Sequence, residues 1–123
     1  MPNDEVADIL DLMLESIELV EDRFAEIGPA NEFVQSAAGV TLLDAIAMRL
    51  QVIGESVRKI QKIDASFLQG YPHVEWTKIG RFRDLVSHHY DRIDHEIVYN
   101  ICKVHIPTLK QTLQKIRSEL SVD

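Results

Sequence analysis

Cysteine is nearly absent. Cys102 is the only thiol in 123 residues, so no disulfide can form within the chain, and that usage points to the cytoplasm. Uninterrupted apolar runs are short as well. None approaches the roughly 18 residues of a membrane span, which predicts no membrane partner. The opening residues Met1-Pro2-Asn3-Asp4-Glu5 are acidic and lack the basic-then-apolar layout of a secretory signal. Several catalytic motifs are also missing: there is no glycine-rich phosphate loop before a helix, no HExxH, no CxxC, and no serine in a nucleophile elbow. Strand alternation, internal repeats and low-complexity tracts are not found either.

What is present fits one globular domain spanning 1–123. Hydrophobic residues make up 46 % of the chain, enough to bury a single core. The net charge is −7, but it is uneven. Residues 1–30 hold nine acidic side chains against one basic, Arg23, so the remaining 93 residues are close to neutral. An acidic chain ordinarily argues against nucleic acid as a partner. Confining the acid to one segment weakens that objection.

Helical periodicity dominates. Ile9, Met13, Ile17, Val20, Phe24 and Ile27 recur at spacings of three and four and predict a helix over 4–27. Asn3 or Asp4 would cap it and Gly28-Pro29 end it. Val6, Leu10, Leu12, Leu14 and Leu19 widen its apolar surface, either for core packing on two sides or for a partner chain. A second helical region runs from about Asn31 to Gln61, with Leu43, Ala47, Leu50, Gly54 and Val57 in one stripe and Ile46, Ile53 and Ile60 beside it. Gly39 marks a kink or junction, and Gly54 a close approach of another helix. Residues 62–76 read as a loop. A further helix starts near Trp76 and carries Ile79, Phe82 and Val86. Asp94 caps another that ends near Val104, and Pro107 opens a last one with Leu109, Leu113, Ile116 and Leu120 buried. The expected fold is all-α, a four- to five-helix bundle.

Chemistry is concentrated between Arg83 and Tyr90. His88, His95 and Cys102 are spaced by sevens, but a turn at Asp91-Arg92-Ile93-Asp94 would break such a stripe, and Cys102 among Val98, Ile101 and Val104 suits a buried small hydrophobe. No metal site and no cofactor are expected. Arg83-x4-His88-x-Tyr90 combines a phosphate-holding cation with a group that exchanges protons near neutral pH. Those are the roles needed when RNA is cleaved by its own 2′-hydroxyl. On one straight helix, however, five residues turn through an excess of roughly 140°, so Arg83 and His88 would not share a face. The plain alternative is a surface arginine and a packed histidine.

The stretch from Tyr71 to Leu113 resembles the HepT-like branch of the HEPN superfamily, the toxin ribonucleases of MNT/HEPN toxin–antitoxin systems. The resemblance rests on Tyr71-Pro72 followed by Trp76, on Ile79-Gly80, on Arg83-Asp84-Leu85-Val86-Ser87-His88-His89-Tyr90, and on Asp94 to Val104 with Pro107-Thr108-Leu109. Ile53-Gly54-Glu55 also resembles a family segment. The resemblance implies a HEPN-like homodimer with the motifs near its interface. It further implies a metal-independent endoribonuclease with Arg83 and His88 as the catalytic pair and Asp84 in support. Tyr90 would receive AMP from a nucleotidyltransferase antitoxin. Where the family often has asparagine after the arginine and glycine before the tyrosine, this chain has Asp84 and His89, and His89 is therefore the second candidate for the acid–base group. RNA rather than DNA is the implied substrate. The competing reading is a non-catalytic nucleotide- or substrate-binding companion of a nucleotidyltransferase, and a third is a helical dimerisation domain with a decayed site.

Overall fold

The structure, a computed structural model, describes residues 2–89 and 92–120, and of residues 2 and 87–89 the backbone alone. Helix α1 (Pro2–Phe24) begins earlier than its periodicity suggested, so Asn3 and Asp4 lie in its first turn instead of capping it. It also ends earlier, and a further turn carries the chain through Ile27, whose N–H donates to the Phe24 carbonyl. Its buried stripe is Val6, Leu10, Met13, Ile17 and Val20, while Ile9, Leu14, Phe24 and Ile27 are partly buried around it. Val6, Leu10 and Leu14 are accounted for by packing on two sides, against α2 and α6, whereas Leu12 is exposed.

Helix α2 (Ala37–Ile63) is the centre of the bundle. A separate 3-10 turn, Ala30–Phe33, precedes it, and Ser36 caps it by accepting from the Gly39 N–H at 3.0 Å. The junction anticipated at Gly39 is thus the helix start. A Cβ on Gly39 would run into the Glu32 carbonyl oxygen, so the glycine lets the 3-10 turn sit directly on α2. Leu43, Ile46, Ala47, Leu50, Ile53, Gly54, Val57 and Ile60 are all buried, which places both sequence stripes in the core. Over one 18-residue window α2 averages a hydropathy of 1.4, enough by length and composition to cross a membrane. A search for uninterrupted runs misses it, because Thr41, Asp44, Arg49 and Gln51 break the run. Its buried stripes face neighbouring helices, as those of a central core helix do.

The loop after α2 is tied back by side chains. Tyr71 donates to Glu119 Oε2 at 2.7 Å, and the Trp76 indole N–H donates to the Tyr71 carbonyl at 2.9 Å. Thr112 spends its hydroxyl hydrogen on the Thr108 carbonyl, so His73 Nε2, 2.9 Å from Thr112 Oγ1, is the donor in that pair. Two short helices follow, α3 (Trp76–Gly80) and α4 (Phe82–Val86).

Besides the break at Arg81 that splits the helix expected from Trp76 into α3 and α4, two features depart from the sequence reading. First, α4 leads into a small antiparallel hairpin, β1 (Ser87–His89) and β2 (Arg92–Ile93), with Ser87 opposite Ile93 and His89 opposite Arg92. Three residues and two are too few for a two-residue period to register. Second, the last two helices are one rod. Helix α5 (His95–Asn100), capped by Asp94, passes through a π turn (Ile101–His105) directly into α6 (Ile106–Leu120). Pro107 has no N–H to give Lys103 and its ring crowds that carbonyl. The wider π turn accommodates this without ending the helix. Counting the rod once, the described residues form five helices and one hairpin, an all-α bundle.

Candidate functional site

The arginine-to-tyrosine stretch straddles the junction of α4 and the hairpin. Phe82 and Val86, one turn apart, are both fully buried and pin α4 to the core. Their spacing leaves Arg83 and Asp84 on the outside, both exposed. The break before α4 falls at Arg81, whose carbonyl accepts from both Asp84 and Leu85 at 3.0 Å and starts the new turn. Gly54 sets the depth of this arrangement. A Cβ there would lie 2.7 Å from the Ile79 carbonyl oxygen and 3.4 Å from Phe82 Cβ. The close approach expected at Gly54 is therefore to α3 and α4, the elements that carry Arg83. Gly80 has a related use: the Arg58 side chain lies across it, with Cγ 3.5 Å from where its Cβ would be.

The helix stops at Val86, two residues before His88. The stretch therefore does not lie at the end of one longer helix, as its periodicity suggested. That removes the angular objection, since Arg83 sits on a helix and His88 on a strand. The hairpin is closed at its base by the Asp94 N–H, which donates to the Val86 carbonyl at 2.7 Å. Asp94 then caps α5, its Oδ1 accepting from Glu96 and Ile97 at 3.1 Å each. One residue thus fixes both the foot of the hairpin and the start of the rod. His88 and His89 are placed here by backbone alone, and Tyr90 lies outside the described residues.

The electrostatic layout is asymmetric. From Lys78 to Arg92 the sequence holds four basic side chains and two acidic ones. Among the described residues, Lys78, Arg81, Arg83 and Arg92 form no ion pair, and neither does Asp84. Two carboxylates of α1 are engaged elsewhere. Glu21 pairs with Lys110 and Asp11 with Arg117, each at 2.8 Å, across the α1–α6 seam. Both cations are held further above their ordinary pKa by those carboxylates. The acidic helix α1 and the basic α3–α4 segment both pack against α2.

The remaining candidates are quieter. Cys102 is buried, and burial pushes its thiol up to about 12, so it stays protonated and acts as a small apolar side chain. Among the described residues no three of His, Cys, Asp and Glu come together as metal ligands. His105, which the sequence sets three residues after Cys102 as a possible metal-ligand pair, lies at the end of the π turn. Burial, then the nearby Lys78 ammonium, lower its pKa, and Glu75 partly offsets them.

An exposed arginine on a pinned helical turn is thus followed directly by a strand bearing two histidines, and Lys78, Arg81 and Arg92 of the same segment form no ion pair among the described residues. Residues 13–116 match the family described as "Ribonuclease HepT-like", and the chain belongs to that family of RNA-cleaving enzymes. "Putative RNase MJ0125" of Methanocaldococcus jannaschii is 32 % identical over 113 residues, covering 92 % of this chain and 88 % of the relative. "Probable ribonuclease HepT" of Thermococcus cleftensis is 29 % identical over 110 residues, covering 89 % and 94 %. A longer protein of M. jannaschii, "Gamma-glutamylcyclotransferase and putative RNase MJ0434", is 31 % identical over 111 residues, and the chain spans about half of it, 47 %, against 90 % of its own length. No solved structure matches the chain.

Proposed function

We propose that this protein is a metal-independent endoribonuclease toxin, with Arg83 and His88 as the catalytic pair. The observation that carries the reading is the α4–β1 junction, which sets an exposed, unpaired Arg83 one short turn ahead of the strand bearing His88. In the reaction, the 2′-oxygen of the RNA attacks the neighbouring phosphorus, the bond from phosphorus to the 5′-oxygen breaks, and a 2′,3′-cyclic phosphate and a 5′-hydroxyl result. The 2′-hydroxyl loses a proton and the leaving 5′-oxygen gains one; His88 carries out one of these transfers and solvent water the other. Arg83 balances the charge that builds on the phosphoryl oxygens. Asp84, beside Arg83, orients it, and His89 is the alternative acid–base group.

The regulatory half of the proposal is that a nucleotidyltransferase antitoxin adds AMP to Tyr90. A bulky anionic group two residues from His88 would block the site and repel an RNA phosphate. The protein would act as a cytoplasmic homodimer, with RNA as substrate and the antitoxin as partner.

The test is cleavage of RNA by wild type, Arg83→Ala and His88→Ala in the presence of a chelator. Activity should survive chelation and disappear in both variants. Cleavage by His88→Ala at the wild-type rate would sink the assignment, unless His89→Ala alone abolishes it and so identifies the other histidine. Incubation with the nucleotidyltransferase encoded beside this protein and ATP should add the mass of one AMP to wild type and none to Tyr90→Phe.

A further inference from the structure

A cleft opens between α3–α4 and the α5–α6 rod. Its volume is about 360 Å³, and Lys78, Leu85, Ile97, Asn100, Ile101 and His105 line it. A second hollow of about 380 Å³ shares Lys78 and Leu85 with it and adds Glu75, Thr77 and Arg81. The two therefore adjoin along one wall, next to the short helix that carries Arg83. We propose that the cleft is a nucleobase pocket, which takes one unpaired base of the RNA strand while the strand's phosphates pass over Lys78 and Arg81. The proposal rests on the ribonuclease reading for its choice of RNA. The pocket itself is tested without cleavage.

Size, chemistry and position support it. The volume falls within the range of small-ligand pockets, about 300–1,000 Å³. Leu85, Ile97 and Ile101 supply apolar walls for the faces of a base, and the Asn100 amide offers both a donor and an acceptor to its edge. His105 is biased toward the neutral imidazole by burial and by Lys78, so it presents one donor, one acceptor and a flat ring. Lys78 and Arg81 bear no ion pair among the described residues and are open to phosphate. Asp94 and Glu96 complete the rim, and Asp94 Oδ1 is already engaged in capping α5. Single-stranded RNA is commonly read by splayed bases received in this manner.

The π turn is what brings the polar groups to the cleft. One extra residue in a turn rotates everything after it by roughly 100° relative to a regular α-helix. Asn100 lies just before the insertion and His105 at its end, and both line the same cleft. The irregularity that Pro107 imposes thus has a use beyond accommodating the proline.

The experiment is an NMR titration of the full ¹⁵N-labelled chain with the four nucleoside 5′-monophosphates and, separately, with ribose 5-phosphate. The nucleotides should shift the amides of Leu85, Asn100 and Ile101 saturably, and ribose 5-phosphate should do so on the order of tenfold more weakly. Asn100→Leu, at an exposed helical position, should lose the preference for nucleotides, and Lys78→Ala should weaken both ligands. Equal responses to nucleotide and ribose 5-phosphate would overturn the base pocket and leave a phosphate patch, and no response at these amides would overturn it outright. On single-stranded RNA, Asn100→Leu should raise KM on the order of tenfold with little change in kcat. A wild type that binds nucleotides at these amides but cleaves nothing would remove the ribonuclease reading and leave the pocket standing. An active wild type whose KM is unmoved by Asn100→Leu would do the reverse.

Discussion

Replacing Gly54 by alanine sets two effects of opposite sign against each other. In a helix interior alanine is favoured over glycine by about 1 kcal/mol, so propensity alone would make the variant more stable. The new methyl would lie 2.7 Å from the Ile79 carbonyl oxygen, well inside ordinary contact, and 3.4 Å from Phe82 Cβ. A backbone oxygen cannot swing aside as a side-chain tip can, so α3 and α4 must shift as a unit. Overpacking of this kind costs about 1–3 kcal/mol. With the cost near its upper end, the net expectation is a loss of about 1–2 kcal/mol, or a melting temperature lower by several degrees for a domain of this size. Because the shifted elements carry Arg83, cleavage should fall by more than the stability loss explains at a temperature where the variant is folded. Gly70→Ala is the control, since nothing lies within 4 Å of its Cβ and no glycine among the described residues has a positive φ. It should be neutral or stabilise by about 0.4–1 kcal/mol. Thermal melts of the two variants beside wild type decide the matter. A Gly54→Ala protein that melts higher than wild type, in step with Gly70→Ala, would refute the account of Gly54 as the close approach that sets the depth of α3 and α4.

Two further predictions concern Asp94 and His105. Asp94→Ala removes the acceptor for the Glu96 and Ile97 N–H groups and should cost about 1 kcal/mol in chemical denaturation, most of which Asp94→Asn should restore. Equal destabilisation by alanine and asparagine would mean that the cap contributes little. For His105 the folded pKa is lowered below the ordinary 6.5, so on acidification the unfolded chain takes up its proton first. Stability from this residue is therefore full above pH 6.5 and falls as pH drops from there toward the lowered value. His105→Gln should show a shallower acid limb than wild type between pH 7.5 and 5, with Lys78, Glu75, Asp94 and Glu96 unchanged around it. A constant difference between the two proteins across that range would contradict the shift.

Much of the bundle was legible because helices bury faces at a regular spacing. Leu43, Leu50, Val57 and their neighbours on α2 announce a core helix in any arrangement that buries them, and Asp94 announces a cap. The ends of α1 were less legible. Its apolar residues continue through Ile27 because the turn after Phe24 is also packed against the core, and periodicity cannot tell a packed turn from one more turn of helix. The rod was misread for a related reason. Pro107 forbids a regular α-helix, but whether the chain breaks or widens into a π turn depends on what else holds Ile101 and Ile106, and both are buried in the core.

The residue types of the site belong to the sequence alone: an arginine, an aspartate, two histidines and a tyrosine within eight positions, set in a pattern that resembles one family, and an acidic charge confined to the first helix. Their spatial relation belongs to the tertiary structure. Helix α4 ends at Val86 because Phe82 and Val86 are buried in the core and because the Val86 carbonyl is taken by the Asp94 N–H, a partner eight residues away. A local pattern of side chains carries no record of that bond, yet with it the segment is a helix–strand junction and not one continuous helix.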